Sequence, residues 1–348
     1  MAKAPSRNDD NTFVRRVLIV LVLASLFLLA WHLRELLLTL FGAVVVATIF
    51  RAIARRICAI VRVSEGVGVA IAVLLVLGLA GGVVALFGTH LTQQFDVLER
   101  ALPAAWTSFE QRVDDLGLGE QLHRLAEGVR QSSGSFASLT KAALSIGNGV
   151  AGLLIVLFGG IYLAVQPRLY KIGAIKLIPA AKRPLVDEAM DESETALRLW
   201  LKGQLMAMVA VGLLTWFGLW LLGMPSAMVL GLLAGVLEFI PFLGPLLAAI
   251  PGVLLALAVS PDLALWVLLV YFVVQQLEGY VLTPLIQQFE VRLPGVILLF
   301  AVFGFGILFG TLGVILAAPL TVVLYVLVKR LYVIEALHTA TPIPGEKH

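Results

Sequence analysis

Charged side chains are scarce in this sequence, and their scarcity excludes most water-soluble folds. Asp, Glu, Lys and Arg together make up 14% of the 348 residues, whereas hydrophobic residues make up 60%. A soluble domain of ordinary composition carries about 25% charged residues, because these residues cover its surface. A chain this poor in charge exposes much of its surface to lipid, so we predict that a lipid bilayer surrounds it.

The residue types of catalytic and metal centres are also few. Cys58 is the single cysteine, so no intramolecular disulfide can form. The five histidines are scattered without the spacing of metal ligands, and the chain lacks the Walker Gly-Lys-Ser/Thr loop that binds ATP. We therefore predict no enzyme activity, no metal and no cofactor. The net charge of +3 is assigned to basic residues at the ends of membrane segments, and we expect no nucleic-acid partner.

What the chain has instead is a series of long apolar blocks rich in Leu, Val and Ala. Each block is roughly as long as a segment that crosses about 30 Å of hydrocarbon, without the alternation of a barrel strand. Because the backbone in lipid must satisfy its own hydrogen bonds, we predict an all-α polytopic membrane protein with about eight apolar segments. The predicted divisions are a cytoplasmic N-terminal tail (1–16), the first three transmembrane segments (17–88), an extracytoplasmic helical region (89–145), a transmembrane segment with a cytoplasmic amphipathic linker (146–197), a transport core (198–330) and a cytoplasmic C-terminal tail (331–348).

The clusters of basic residues all mark the same side of the membrane. Lys and Arg are enriched in cytoplasmic loops, and the clusters at 51–62, 168–202 and 329–330 fall on the side of the basic N-terminus. The acidic segment 89–143 falls on the opposite side. This pattern predicts a multi-pass protein of the bacterial inner membrane with both termini in the cytoplasm.

Two of the apolar blocks, 226–259 and 296–328, are interrupted in the middle by Pro or Gly. The arms on either side are short for a full crossing, and Pro and Gly end helices or allow unusual backbone angles. We therefore predict two re-entrant helical hairpins, each preceded by one full span, in two units of opposite orientation. Secondary transporters are often built from such inverted repeats. Four ordinary short spans are the alternative.

Polar residues near these breaks are the candidate binding groups. Glu238 lies in an apolar stretch, where a carboxyl group must be protonated, paired or directed into a wet cavity. Gln275 and Glu278 lie near the cytoplasmic end of the next span. We predict that these three residues bind a substrate or a coupling ion. The alternatives are a hydrogen bond that holds the hairpin tip for Glu238 and a solvated helix end for the other two. The predicted hairpin tips comprise Pro241, Gly244, Pro245, Gly306, Gly310 and Gly313.

Several motifs in the last part of the chain occur together. They are Glu-Phe-Ile-Pro-Phe-Leu-Gly-Pro (238–245), Gln-Gln-Leu-Glu-Gly-Tyr-Val-Leu-Thr-Pro (275–284, ending at Pro284), Val-Arg-Leu-Pro (291–294, with Arg292 and Pro294) and Leu-Phe-Gly-Thr-Leu-Gly (308–313). With these motifs the chain resembles the autoinducer-2 exporter family, also described as PerM-like or PurR-regulated permeases. The N-terminal half is similar to that family in layout: two spans, a basic turn, a third span and an external helical region. The chain departs from the family at 287–290, where it has Gln-Gln-Phe-Glu and relatives often have a Gly-Lys/Arg turn.

The resemblance implies a multi-span transporter, with export of the quorum-sensing signal autoinducer-2 by some members and sodium(lithium)/proton antiport by others. It also implies a homo-oligomer, and a pentamer is expected. We predict a secondary transporter that exports a small polar molecule, with autoinducer-2 as a candidate. One alternative is a monovalent-cation/proton antiporter. An alternative of another class is a non-transporting membrane scaffold that binds its partners through 89–143.

Overall fold

The structure, a computed structural model, describes residues 17–82 except 19, 22, 23, 26, 27, 30, 79 and 80; residue 107; residues 146–287 except 225; residues 293–339; and residue 341. These residues form helices and turns, with no strand among them. The predicted N-terminal tail and nearly all of the predicted extracytoplasmic region lie outside the described residues.

The described helices fall into two groups along the chain, one before and one after the segment 83–145, of which the structure describes only residue 107. In chain order they are α1 (Arg34–Val61), α2 (Glu65–Gly78), α3 (Ile146–Val165), α4 (Pro167–Lys176), α5 (Arg183–Leu221), α6 (Ala227–Leu237), α7 (Leu243–Val259), α8 (Pro261–Leu277), α9 (Thr283–Gln287) and α10 (Gly295–Val328). Within the described residues, four helical stretches are long and apolar enough to cross a membrane, or five if α3 and α4, bent by 90°, form one span. The prediction of an all-α polytopic membrane protein is confirmed.

The basic residues that follow the second apolar block do not form the expected turn. They belong to the helix, and the turn comes only after them. Helix α1 continues through Arg51 and Arg55 as far as Val61, and it ends at Arg62, which adopts the left-handed conformation with φ of 54°. No Pro or Gly interrupts this stretch, and Ala and Arg both favour helices, so nothing in it stops the helix earlier. The arginines therefore project from a regular helix and keep the spacing of its turns.

Proline and serine set two of the helix boundaries. Pro167 has no backbone N–H and disfavours helical geometry in the residue before it, so the chain bends at Gln166 between α3 and α4. Helix α8 begins with Pro261 in its first turn, and the Oγ atom of Ser260 accepts a hydrogen bond from the backbone N–H of Leu263 at 3.1 Å.

The long helix α5 packs against most of the other elements. Its first half joins α1 and the second arm of α10 in one hydrophobic cluster, whose buried members include Leu38, Leu197 and Val322. Its second half packs with α6, α7 and α8 in another cluster, which includes Leu219, Leu230 and Val267. A third cluster joins α1, α2 and α3. Helix α5 therefore connects the N-terminal helices to both interrupted helical stretches.

Glycines bring α5 and α6 into close contact. Gly231 and Gly235 form a Gly-x-x-x-Gly motif on α6, and both face Gly212 of α5. A Cβ atom on Gly212 would lie 3.2 Å from the carbonyl oxygen of Gly231 and 3.3 Å from Cα of Gly235. Small residues of this kind allow membrane helices to approach at backbone distance, where van der Waals packing and not the hydrophobic effect holds them together.

The chain reverses direction at both predicted interruptions. In a continuous helix, residues seven or eight apart are separated by more than about 10 Å along the axis. Nevertheless, a Cβ atom on Gly244 would collide with the carbonyl group of Leu237, and one on Gly306 would lie 2.9 Å from Cγ2 of Val314. The first hairpin is therefore formed by α6 and α7, and the second by the two arms of α10 on either side of Gly310, which has φ of 66° and ψ of −148°.

The lengths of the arms bear on how the hairpins sit in a membrane. With 11 residues, α6 is about 16 Å long, roughly half of the hydrocarbon thickness. This arm alone is therefore too short to span the hydrocarbon layer. The re-entrant position of the two hairpins and their inverted-repeat relationship remain predictions that this geometry favours.

Replacement of Gly235 tests the close packing of α5 and α6. The Cβ atom of alanine would lie 2.7 Å from the carbonyl oxygen of Met208, so the two helices must move apart. We expect Gly235→Ala to cost about 1–3 kcal/mol, measured as a lower Tm of the purified protein in detergent. The control is Gly173→Ala on α4, where a Cβ atom meets nothing within 4 Å. Equal Tm values for the two variants would contradict the packing.

Replacement of Gly310 tests the second chain reversal. Its φ and ψ lie in a region that is almost restricted to glycine, so we expect Gly310→Ala to cost about 1–3 kcal/mol of stability. Gly304→Ala on the same helix is the matched control, because Gly304 has open space around its Cα. The measurement is urea unfolding in detergent. A continuous helix through residue 310 would instead make alanine stabilising at both positions.

Candidate functional site

The tip of the first hairpin is a tight turn between α6 and α7. Helix α6 ends at Leu237, and the backbone N–H of Leu243 donates to the carbonyl oxygen of Pro241 at 2.8 Å. This bond closes a γ-turn around Phe242, whose φ of 66° and ψ of −45° are rare for a bulky residue. Backbone strain of this kind costs free energy and is often found at ligand sites.

Hydrogen bonds within the tip satisfy part of its exposed backbone. The N–H of Glu238 donates to Ala234, which continues the helix, and the N–H of Gly244 donates to the carbonyl oxygen of Ile240 at 2.8 Å. Gly244 is buried, and its lack of a side chain leaves room for the carbonyl group of Leu237. Pro245 follows in the first turn of α7, where its missing N–H leaves no helical hydrogen bond unmade.

Glu238 is the buried carboxyl group of this tip. Only 4% of the residue is exposed, and its Oε2 atom has no hydrogen-bond partner among the described residues. This oxygen therefore does not form, with any described residue, the hydrogen bond that the alternative interpretation of Glu238, a side chain that holds the hairpin tip, requires. A buried polar atom without a partner costs free energy, so such atoms are commonly found where a ligand, a proton or water completes the site.

Gln204 of α5 supplies a contact that sequence reasoning missed. Its Nε2 atom donates to the backbone carbonyl oxygen of Glu238 at 2.7 Å, and so joins α5 to the hairpin tip. The hydrogen bond satisfies a carbonyl group at the end of α6 that lacks a helical partner. The available signal was a Gln placed within an apolar span, the same signal that singled out Glu238.

Gln275 contacts Glu278, and Glu278 lies within electrostatic range of Glu238. The amide nitrogen of Gln275 donates to Oε2 of Glu278, and the charge of Glu278 is near enough to act on that of Glu238. Of the three residues that were predicted to bind a substrate or an ion, Gln275 and Glu278 are therefore in direct contact, and Glu238 is linked to them through the charge of Glu278. Glu278 is half-buried, whereas Gln275 is exposed.

A π turn positions Glu278. Helix α8 widens at Glu278–Leu282, where the N–H of Thr283 bonds to the carbonyl oxygen of Glu278, five residues back. Pro284 follows at once and has no N–H to continue a regular helical ladder, which accounts for the widening. Single π turns of this kind are frequent at functional sites. Both the π turn and α9 contact α5, the helix that carries Gln204.

Both hairpin tips pack against one hydrophobic cluster. Phe239 of the first tip and Phe309 of the second pack against the same hydrophobic cluster of α1, α5 and α10. The ring of Phe239 lies edge-on to that of Trp200 at 5.9 Å, and Phe305 and Phe309 are 6.0 Å apart. A single cluster of side chains therefore supports both interruptions.

The remaining predicted residues lie in three places. Gly310 is the reversal point of the second hairpin, Gly313 packs against the carbonyl group of Phe305, and Gly306 faces Val314. Pro294 precedes the first residue of α10 and Pro284 lies in α9. Arg292 lies outside the described residues, so its predicted role stays a prediction.

Replacement of Gln204 tests the contact between α5 and the tip. Gln204→Leu fills a similar volume but leaves the carbonyl group of Glu238 without its donor, so we expect a loss of about 1–3 kcal/mol, measured as a lower Tm. Gln166→Leu, at an exposed position of the bend before α4, is the control and should change the Tm little. An unchanged Tm for Gln204→Leu would show that this hydrogen bond does not hold the tip.

A multi-helix membrane protein with two chain reversals in apolar stretches, one of which buries a carboxyl group at its tip, has features that are common in transporters. The chain matches the AI-2E family transporter profile over residues 17–332. It belongs to this family. The resemblance that the motifs carry is therefore confirmed.

Individual relatives match a smaller part of the chain than the family profile does. The chain is 31% identical over 209 residues to YrrI of Bacillus subtilis (strain 168), a protein provisionally named for transport, and the match covers 59% of each chain. It is 31% identical over 198 residues to a provisionally named transport protein of Thermotoga maritima, which covers 54% of this chain and 60% of that one. The chain thus spans little more than half the length of these two relatives. The AI-2 transport protein TqsA of Escherichia coli (strain K12) is 23% identical over 244 residues, covering 69% of this chain and 70% of TqsA.

Proposed function

We propose that this protein is a secondary transporter that exports a small polar molecule across the bacterial inner membrane. Glu238, Gln275 and Glu278 bind the solute or the coupling ion, and the two hairpin tips form the wall of the site. Membership of a transporter family and the broken helices support this proposal. The proposed orientation places both termini in the cytoplasm, as the basic clusters indicate.

The buried carboxyl group of Glu238 carries the proposal. Its Oε2 atom is unpartnered among the described residues, and a second carboxyl group, that of Glu278, acts on it electrostatically. Two neighbouring carboxyl groups in an apolar environment resist simultaneous ionisation, so they retain a proton or attract a cation. Release of that proton or cation on one side of the membrane would couple the site to an ion gradient.

Autoinducer-2 is the candidate substrate. TqsA, a relative over 69% of this chain, is named for AI-2 transport. Carboxyl and amide groups such as those of Glu238 and Gln275 can accept and donate hydrogen bonds to the hydroxyl groups of a sugar-like solute. One charge that moves through 100 mV contributes about 2.3 kcal/mol, enough for modest coupling by a single proton.

A homo-oligomer is part of the proposal. Apolar side chains cover the outside of the described helices, among them Trp216, Trp220 and Phe272, which are 42%, 59% and 59% exposed. Lipid or a second copy of the chain would cover such residues in a membrane. The family resemblance favours a pentamer.

The test is efflux from proteoliposomes that contain the purified chain. We expect wild-type protein to release trapped autoinducer-2 at least about tenfold faster than Glu238→Gln, because the amide cannot exchange a proton. Glu335→Gln removes an exposed carboxyl group outside the site and is the matched control. Full efflux by Glu238→Gln at equal expression would remove Glu238 from the mechanism.

The same vesicles distinguish the two rival functions. An antiporter would dissipate an imposed pH gradient when sodium or lithium is added, and this response would be lost in Glu238→Gln. A scaffold would transport none of the tested solutes at any ion gradient. Its function would instead depend on the segment 89–143.

A further inference from the structure

Two arginines of α1 bind one glutamate of α5, and a third arginine lies one turn further along α5. Arg51 and Arg55 lie one turn apart on α1, and both donate to Oε1 of Glu194, with Nη1 of Arg51 at 3.2 Å. Arg198, one turn after Glu194 on α5, interacts electrostatically with the other three residues. These four residues are called the arginine cluster below.

The arginine cluster has an excess of positive charge, whereas the other ion-pair groups of α5 have an excess of negative charge. Elsewhere along this helix, two bases of neighbouring elements are each paired with two of its acids: Lys171 with Asp187 and Asp191, and Arg330 with Glu188 and Glu192. In the arginine cluster, three bases share a single acid, so its formal charge is +2. These two groups have a formal charge of −1 each, so the positive excess is confined to the arginine cluster, whose Glu194 and Arg198 continue the helix face of Asp187 and Asp191.

Partial burial makes this excess charge costly. The side chains of Arg51 and Glu194 are 26% and 34% exposed, and that of Arg55 is 45% exposed. Guanidinium groups remain charged at any physiological pH, so they cannot relieve their mutual repulsion by losing a proton. Each group carries five N–H donors, and one carboxylate cannot accept from all of them. A bound anion would remove both the repulsion and the deficit of acceptors.

The position of the arginine cluster indicates which anion it meets. Arg51 follows the apolar stretch 36–50 of α1, and Arg198 and Lys202 precede the apolar stretch 205–221 of α5. Both helices therefore enter the apolar layer at the level of the cluster. Phosphate groups of lipids lie at this boundary, and basic pockets between membrane helices on the cytoplasmic side bind anionic headgroups.

We propose that the arginine cluster is a binding site for a phosphate-bearing anion. The planar fork of a guanidinium matches two oxygens of a phosphate. Two such groups meet at Glu194, and a third, that of Arg198, lies within electrostatic range of them. The phosphate belongs either to an anionic phospholipid or to a dissolved anion. Binding at the cluster fastens α1 to α5, and it is separate from the solute site at Glu238.

Thermal unfolding of delipidated full-length protein in detergent tests the proposal. The probes are phosphatidylglycerol, phosphatidylcholine, and inorganic phosphate against chloride at equal ionic strength. We expect phosphatidylglycerol or phosphate to raise the Tm of the wild type, and Arg198→Gln to weaken this apparent affinity at least about tenfold. Stabilisation by phosphatidylglycerol alone identifies a lipid site, and equal stabilisation by inorganic phosphate identifies a site for a dissolved anion.

Arg56→Gln is the matched control. Arg56 is the exposed neighbour of Arg55 on α1 and lies outside the arginine cluster, so its loss should leave the affinity unchanged. Without anion, Arg198→Gln should unfold at the same or a higher temperature than wild type, because it removes repulsion. If Arg198→Gln does not fold, Arg55→Gln serves for the affinity measurement, with the same expected weakening of at least about tenfold; its Tm without anion should fall, because it loses the ion pair with Glu194. The proposal is overturned if no anion raises the wild-type Tm, or if Arg56→Gln weakens binding as much as the cluster variants.

Discussion

The cost of placing irregular backbone and carboxyl groups among apolar side chains is the constraint on which the rest of this structure depends. Each chain reversal exposes N–H and C=O groups that a continuous helix would satisfy. At the first tip the γ-turn, the bond from Gly244 to Ile240 and the amide of Gln204 satisfy several of them. The carboxyl group of Glu238 is buried in the same tip, with one oxygen unpartnered in the described part of the chain. The polarity that the tip does not use for its own folding is what a transported solute or ion can bind.

Helix α5 links this site to the surface of the molecule. Its apolar half packs through Gly212 against α6 and carries Gln204, while its polar half holds the ion pairs with α1, α4 and the end of α10. Because one continuous helix carries both halves, the hairpin tip and the arginine cluster keep a fixed register. The amphipathic linker that was predicted before the span is therefore the beginning of the same helix. Its acidic face binds the basic ends of the neighbouring helices.

Local chemistry explains which features the sequence predicts and which it does not. The interruptions were visible because Pro241, Gly244 and Gly310 are poor residues for a continuous helix. The γ-turn at Phe242 could not be predicted from the sequence, because a bulky residue rarely adopts a positive φ. The proximity of Glu238 to Glu278 depends on how α5, α6 and α8 pack, which no local pattern encodes. Two further features do have a local pattern in the sequence: Gln204 is a polar residue in an apolar span, and the glycines of α6 are four residues apart.

The depth of the two hairpin tips tests the account most directly. Spin labels at Phe242→Cys and Thr311→Cys, each in a Cys58→Ser background, report their depth in a bilayer by the relaxation that oxygen and a water-soluble nickel complex induce. The account predicts that both labels lie well inside the hydrocarbon thickness and are still relaxed by the nickel complex, because they face a wet cavity. Labels at the depth of the lipid headgroups, as four complete crossings would place them, would contradict it.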